Sequence, residues 1–237
     1  MKNILLLHGW GYNSYSKVAK HATPWYKKAA FIKQLEKHYI VHTPFFPGFC
    51  GEAEPKSAWD LDDYAKYIDN YIKTNKLKVD FILGNSFGGA VAVRYKTLLG
   101  SKVPIILTVP AIIRTSANSR VFIKTPKIIK PLRNVLRDLY VIHIKKTPEM
   151  KYGTKFLRKS YQKIVRHNLI NELKNFNSKE VLILLGTEDT MVDSNTIYNE
   201  LSKKYGHNIQ KINGGHEIAE TNQDEMINYI IKFTNNK

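Results

Sequence analysis

The hexapeptide Gly84-Asn85-Ser86-Phe87-Gly88-Gly89 constrains this chain more than any other feature. It follows the apolar run Val79-Asp80-Phe81-Ile82-Leu83 and opens a helical pattern from Gly88 to Leu99, which Gly100 stops. A serine on so sharp a strand-to-helix turn needs small residues two positions to either side. A Cβ there meets the turn or the sheet, which is the physical content of Gly-x-Ser-x-Gly. Gly89 lets the helix approach the sheet closely. The competing reading is a glycine turn that cradles phosphate at a helix N-terminus. That reading lacks the Gly-x-Gly-x-x-Gly and Walker spacings.

The rest of the chain reads as the scaffold such a turn requires. Asn3–Leu7, Tyr39–Val41, Val79–Leu83, Val103–Val109, Val181–Leu185 and Asn208–Ile212 are short apolar or β-rich runs. All are followed by glycine or proline within a few residues, the first through His8-Gly9-Trp10-Gly11. Their length suits strands buried on both faces. Helical spacing lies between them at Leu61, Tyr64, Ala65, Ile68, Tyr71 and Ile72, with Asp60, Asp62 and Asp63 at its start. Ser194–Tyr205 and Thr221–Phe233 carry further helical patterns. This alternation predicts an α/β fold, a mostly parallel six-stranded sheet flanked by helices. It fails between Val109 and Val181, where Pro110, Pro126, Pro131 and Pro148 punctuate helical patterns. Residues 1–110 and 181–237 are expected to form the core, with 111–180 as a helical insertion.

A serine hydroxyl becomes a nucleophile when a base takes its proton. Of the eight histidines, His216 is best placed. It follows the last strand through Gly214-Gly215, a turn able to carry it over the sheet edge. His8 is expected to shape the loop after the first strand. His38, His42 and His207 flank strands, and His21, His143 and His167 fall in loops or the insertion. The base needs an orienting carboxylate. Asp189 stands just past the fifth strand; Glu188 and Asp193 are its rivals, and Asp193 has an alternative use as a helix cap. Two backbone N–H groups, of Phe87 and of Trp10, are expected to form an oxyanion hole.

With these residues in place, the chain resembles an α/β-hydrolase fold protein over its whole length outside the insertion. His8-Gly9 after a strand, the Ser86 turn, Asp189 and His216 occur in that family's order. Pro47-Gly48-Phe49 and Trp59 through Ala65 are also similar to family members. The resemblance implies that 111–180 is a helical cap. It also implies that the chain starts at what is usually the third strand, so six core strands are expected rather than eight. It implies a serine hydrolase cleaving a carboxylic ester or thioester through an acyl-enzyme, with a small-molecule acyl ester as substrate and neither metal nor organic cofactor. The hexapeptide is similar to the turn of carbon–carbon bond hydrolases, which usually carry tryptophan directly after the histidine, where this chain has Glu217. The His8-Gly9-Trp10-Gly11 loop resembles small carboxylesterases. A non-catalytic binding protein of the same fold is the alternative from another class.

Composition narrows the partners. The apolar run at the N-terminus is too short for a signal peptide, and no stretch approaches the ~18 apolar residues of a spanning helix. A cytoplasmic chain with no transmembrane segment is expected. Cys50 is the single cysteine, which excludes an internal disulfide and a Cys-rich zinc site. The formal net charge is +17, and residues 111–180 contribute 17 basic against 4 acidic side chains. Lysine is near its even share there, but 6 of the 7 arginines fall in this block, where an even spread puts about 2. Lys127, Lys130, Arg133 and Arg137 recur at helical spacing, opposite Ile128, Ile129, Leu132, Val135, Leu136 and Leu139. This stripe is either a solvated face or a surface for an acidic protein, an anionic substrate or a membrane. Nucleic acid is not expected, because no recognition motif accompanies it.

Overall fold

The computed structural model of this protein describes residues 1–113, 151–165 and 167–237. Six strands, β1 (Lys2–Leu7), β2 (Tyr39–His42), β3 (Phe81–Asn85), β4 (Ile105–Thr108), β5 (Val181–Gly186) and β6 (Ile209–Ile212), form one sheet in the order β2-β1-β3-β4-β5-β6. Every neighbouring pair is parallel. The helices are α1 (Ala29–Leu35), α2 (Leu61–Thr74), α3 (Phe87–Leu99), α4 (Lys155–Ile164), α5 (Ile170–Lys174), α6 (Ser194–Tyr205), α7 (Ile218–Thr221) and α8 (Gln223–Asn235).

The central strands β1, β3, β4 and β5 are largely apolar because both faces are covered, whereas the edge strands β2 and β6 carry exposed positions. Along β1, Leu5 and Leu7 enter one buried cluster while Ile4 and Leu6 enter the other. β5 divides in the same way, Val181, Ile183 and Leu185 against Leu182 and Leu184. The first cluster is completed by Leu61, Tyr64 and Ile68 of α2, Val91 of α3 and Ile197 and Leu201 of α6. The second is completed by Phe31 and Leu35 of α1 and by Met226, Ile230 and Phe233 of α8. α2 starts at a full capping box: Asp60 accepts from the backbone of Asp62 and Asp63, and the Asp63 carboxylate accepts from the Asp60 N–H.

Several boundaries differ from the sequence expectation; β4, for one, spans Ile105–Thr108 rather than Val103–Val109. β3 begins at Phe81 and runs through Gly84 and Asn85, because the register pairs Leu7 with Gly84 and Asn85 with Thr108. Asp80 lies before the strand, where its carboxylate accepts from the Asn3 N–H at 2.7 Å. The C-terminal helix is split at Asn222, whose φ of −128° is not helical, into α7 and α8. α1 carries no sequence expectation at all. Between β4 and β5 no strand occurs among the described residues. α4 and α5 lie there, and their Leu157 and Leu173 join the first cluster. Lys127, Lys130, Arg133 and Arg137, with their apolar partners and Pro126, Pro131 and Pro148, lie outside the described residues. No helix among the described residues is long and apolar enough to cross a membrane.

The strand order places the site. The chain runs from β1 to β2 on one side, then returns to add β3 on the other side of β1. In open α/β sheets such a reversal leaves a crevice outside the carboxyl ends of the strands. The loop after β1 and the turn after β3 meet there.

Candidate active site

Asn85 ends β3 and Phe87 begins α3, so Ser86 alone makes the turn, at φ 52° and ψ −112°. A side chain in this region is strained by roughly 1–3 kcal/mol, and the surroundings must hold it. They do so through the backbone. The Ser86 N–H donates to the Thr108 carbonyl at 2.9 Å, and the Ser86 carbonyl accepts from Gly89 and Ala111, each at 3.0 Å. The flanking glycines are sterically required. A Cβ on Gly84 stands 2.4 Å from the Gly88 carbonyl oxygen, and one on Gly88 stands 2.1 Å from the Leu7 carbonyl oxygen. Relieving the first clash means moving the start of α3, and relieving the second means moving the end of β1.

After β6, the Gly214-Gly215 turn carries His216 over the sheet edge. Its Nε2 lies 3.0 Å from Ser86 Oγ and its Nδ1 lies 2.8 Å from Asp189 Oδ2. The Asp189 side chain is fully buried. Its other oxygen, Oδ1, accepts from the backbone N–H groups of Met191 at 2.8 Å and Val192 at 2.9 Å. Burial pushes this carboxyl up. The His216 hydrogen bond and charge, with the two N–H donors, outweigh burial and leave it below the usual carboxylate range. An ionised Asp189 fixes the imidazole tautomer: Nδ1–H donates to the carboxylate, and the bare Nε2 faces the serine hydroxyl. Glu188 is exposed. Asp193 caps α6, accepting from the Thr196 N–H at 2.9 Å and the Thr196 hydroxyl at 2.7 Å. The structure therefore brings Ser86, His216 and Asp189 together and leaves Glu188 and Asp193 apart from them.

The loop after β1 closes the other side. His8 is buried; its Nδ1–H donates to the Gly9 carbonyl at 2.8 Å, and its Nε2 accepts from the Phe46 N–H at 3.0 Å. This arrangement requires the neutral ring, and burial lowers the His8 pKa to about 4. The sign of the consequence is fixed. Below its ordinary value of 6.5 the unfolded chain takes up a proton that the folded His8 refuses until about pH 4. Stability from this group is complete above 6.5 and drains away as pH falls toward 4, by about 3 kcal/mol in all. The expected result is that the destabilisation caused by His8→Gln at pH 7 shrinks by about that amount at pH 4. Urea melts of both proteins across this range measure it; a constant difference between the two would show that His8 is not held neutral.

Trp10 donates its indole N–H to the Tyr15 hydroxyl at 2.6 Å and stands edge-on to Phe87, with ring centroids 5.0 Å apart. Its indole is therefore engaged in packing. Among the described residues, the backbone N–H groups of Trp10 and Phe87 have no protein acceptor. Phe87 follows Ser86 in sequence, and Trp10 lines the same cavity of about 260 Å³ as Ser86 and His216. Tyr12, Lys28 and Met191 also line it. Lys28 is a residue that sequence reasoning missed. Its buried ammonium donates to Glu217 at 2.5 Å and to Glu220 at 2.9 Å, tying the segment just after His216 to the start of α1. Lys28 pushes the Glu217 carboxyl down against the opposing effect of burial. A Lys27-Lys28 pair far from these acids in sequence carries no signal of the contact. Among the described residues, no group of His, Cys, Asp and Glu is arranged to hold a metal ion.

A hydroxyl, an imidazole and a buried carboxylate in one hydrogen-bonded line are suited to moving a proton off the hydroxyl. Comparison with known proteins agrees with this setting. The model of the alpha/beta hydrolase family matches residues 4–216. A putative esterase/lipase of Mycoplasma genitalium is 22% identical over 265 residues, covering 99% of this chain and 90% of that protein. A meta-cleavage product hydrolase from Pseudomonas fluorescens superposes with a TM-score of 0.67 at 20% identity, covering 100% of this chain and 91% of the other. A monoacylglycerol lipase from Paleococcus ferrophilus gives a TM-score of 0.59 at 17% identity, covering 97% of this chain and 94% of the other.

Proposed function

The chain belongs to the alpha/beta hydrolase family, and we propose that within it the protein is a serine hydrolase that cleaves a small carboxylic ester or thioester through an acyl-enzyme. The observation that carries this reading is the unbroken line from Asp189 through His216 to Ser86, at 2.8 and 3.0 Å. In it, His216 Nε2 takes the Ser86 proton as Oγ attacks the carbonyl carbon. Negative charge then develops on the carbonyl oxygen, and the N–H groups of Trp10 and Phe87 are the donors for it. The protonated imidazole gives its proton to the departing alcohol or thiol. Water, deprotonated by His216, attacks the acyl-enzyme and releases the acid, which restores Ser86. Asp189 stays ionised and supports the imidazolium. Every step uses a group of this chain, so the scheme calls on no cofactor. The segment 111–180 is proposed as a cap over this cavity, and its contribution to substrate choice is part of the same proposal.

A fluorophosphonate probe tests the chemistry, because it labels a serine only when a base activates it. The expected result is one modified residue, Ser86, identified by peptide mass. A panel of p-nitrophenyl esters tests the substrate class. The cavity of about 260 Å³ lies below the roughly 300–1,000 Å³ that holds drug-sized ligands, so acetate and butyrate esters should turn over faster than decanoate. Carbon–carbon cleavage is the second reading, favoured by the fold shared with the meta-cleavage product hydrolase. It prevails if a ring-cleavage dienone turns over and the esters do not. Failure of the probe to label Ser86, with no turnover of any substrate, leaves a binding protein of the same fold.

A further inference from the structure

A second concave site lies away from Ser86. The segment running from Glu54 to Ala58 and one face of α4 enclose a groove of about 790 Å³ that shares no lining residue with the Ser86 cavity. Four exposed lysines line it, Lys56, Lys155, Lys159 and Lys163, with Gln162 beside them. Among the described residues none of the four is in an ion pair. Lys163 donates to the Ala58 carbonyl at 2.7 Å, bridging the two walls. Glu54 is the one acid among the groove's lining residues, against four lysines, and its Oε1 accepts from the Thr154 hydroxyl at 2.5 Å.

The lysines share a face for a structural reason. α4 buries Phe156, Leu157, Ser160 and Ile164, and positions 155, 159 and 163 fall together on the exposed flank beside that face at i, i+4 spacing. Like charges so placed repel and weaken the helix by a few tenths of a kcal/mol per pair, and among the described residues no acid is paired with them. Four residues of helix rise about 6 Å. On one face of an extended strand, side chains recur every two residues, at about 6.6–6.8 Å. Carboxylates at alternate positions of an extended segment therefore meet successive lysines of α4.

We propose that this groove binds an extended acidic peptide segment of a partner protein, with Asp or Glu at alternate positions. The alternatives fit less well. Single-stranded nucleic acid needs aromatic faces on which bases stack, and the groove's aromatic, Phe156, is buried and stands edge-on to Trp59. A membrane-surface helix sinks its apolar face into lipid, and the apolar face of α4 is already spent on the core. The proposal does not depend on the reaction at Ser86.

The test uses the full chain and a fluorescein-labelled peptide in which glutamate alternates with threonine, followed by anisotropy at about 50 mM salt. The quadruple variant Lys56→Gln, Lys155→Gln, Lys159→Gln and Lys163→Gln should bind at least ~10-fold more weakly. A control with the same charge loss elsewhere, Lys33→Gln, Lys78→Gln, Lys203→Gln and Lys232→Gln, should bind within about 2-fold of the parent. Raising salt shortens the Debye length to about 3 Å at 1 M and should erase the difference. Thermal melts check that both variants fold. Equal weakening in the two variants, or no binding by the parent, overturns the proposal. So does a single-stranded oligonucleotide, or a phosphatidylserine vesicle, that binds the parent more tightly than the peptide and loses binding in the groove variant.

Discussion

Ser86→Ala is expected to lower kcat on a good ester by about 10⁴-fold or more while leaving the fold in place. Losing the nucleophile of such a unit costs on the order of 10⁶ in a serine protease, with the residual rate supplied by binding and oxyanion donors. The packing cost is small. Ser86 is half-buried, its Oγ bonds to His216 Nε2, and the backbone bonds that hold the turn do not pass through that atom. The strained φ of 52° adds a second expectation. Alanine keeps the strain and glycine releases it, so Ser86→Gly should melt at a higher temperature than Ser86→Ala although neither turns over. Calorimetry and steady-state kinetics on the two variants measure both effects. Near-parental turnover by Ser86→Ala would end the assignment of Ser86 as nucleophile.

The same turn explains why so much of the molecule was legible in sequence. The central strands, buried on both faces, are written as apolar runs, the edge strands β2 and β6 as shorter β-rich ones, and glycine or proline follows each within a few residues, so all six strands could be located. Gly84 and Gly88 report close approaches that no other residue permits, which makes the serine turn recognisable. α2 was visible because its cap, its acidic first turn and its apolar stripe all agree. α1 has none of these marks. It is 7 residues long, its N-cap Lys28 makes no side-chain capping bond, and no acid stands in its first turn. Its existence is decided by Phe31 and Leu35 packing under the sheet, a tertiary effect without a local signature. The Lys28 contacts with Glu217 and Glu220 were hidden for the same reason: 189 and 192 residues separate the partners. The edge of β3 moved by two residues because register, set by β1 and β4, overrides the β-propensity of Val79.

Asp189→Asn separates the acid of the site from its neighbour by a hydrogen-bond argument. Oδ1 of Asp189 accepts two backbone N–H groups, from Met191 and Val192. In the asparagine variant the amide oxygen must take that position, because an NH₂ there faces two donors. The NH₂ group then points at His216 Nδ1 and donates to it. With Nδ1 accepting, the imidazole proton moves to Nε2, where it faces Ser86 Oγ and blocks removal of the hydroxyl proton. The geometry survives and the tautomer is wrong, a change worth about 10⁴ in kcat in a serine protease. A loss of about 10³–10⁴ is expected here, with KM on a small ester little changed. Asp193→Asn provides the contrast. Asparagine caps a helix about as well as aspartate, so α6 keeps its bond to the Thr196 N–H and kcat should stay within about 2-fold. Asp193→Ala removes the cap and should cost about 1 kcal/mol of stability, again with kcat retained. Parallel kinetics and urea melts on the three variants read the two roles separately. A larger kcat loss for Asp193→Asn than for Asp189→Asn would move the acid to Asp193 and require the loop after β5 to rearrange before reaction.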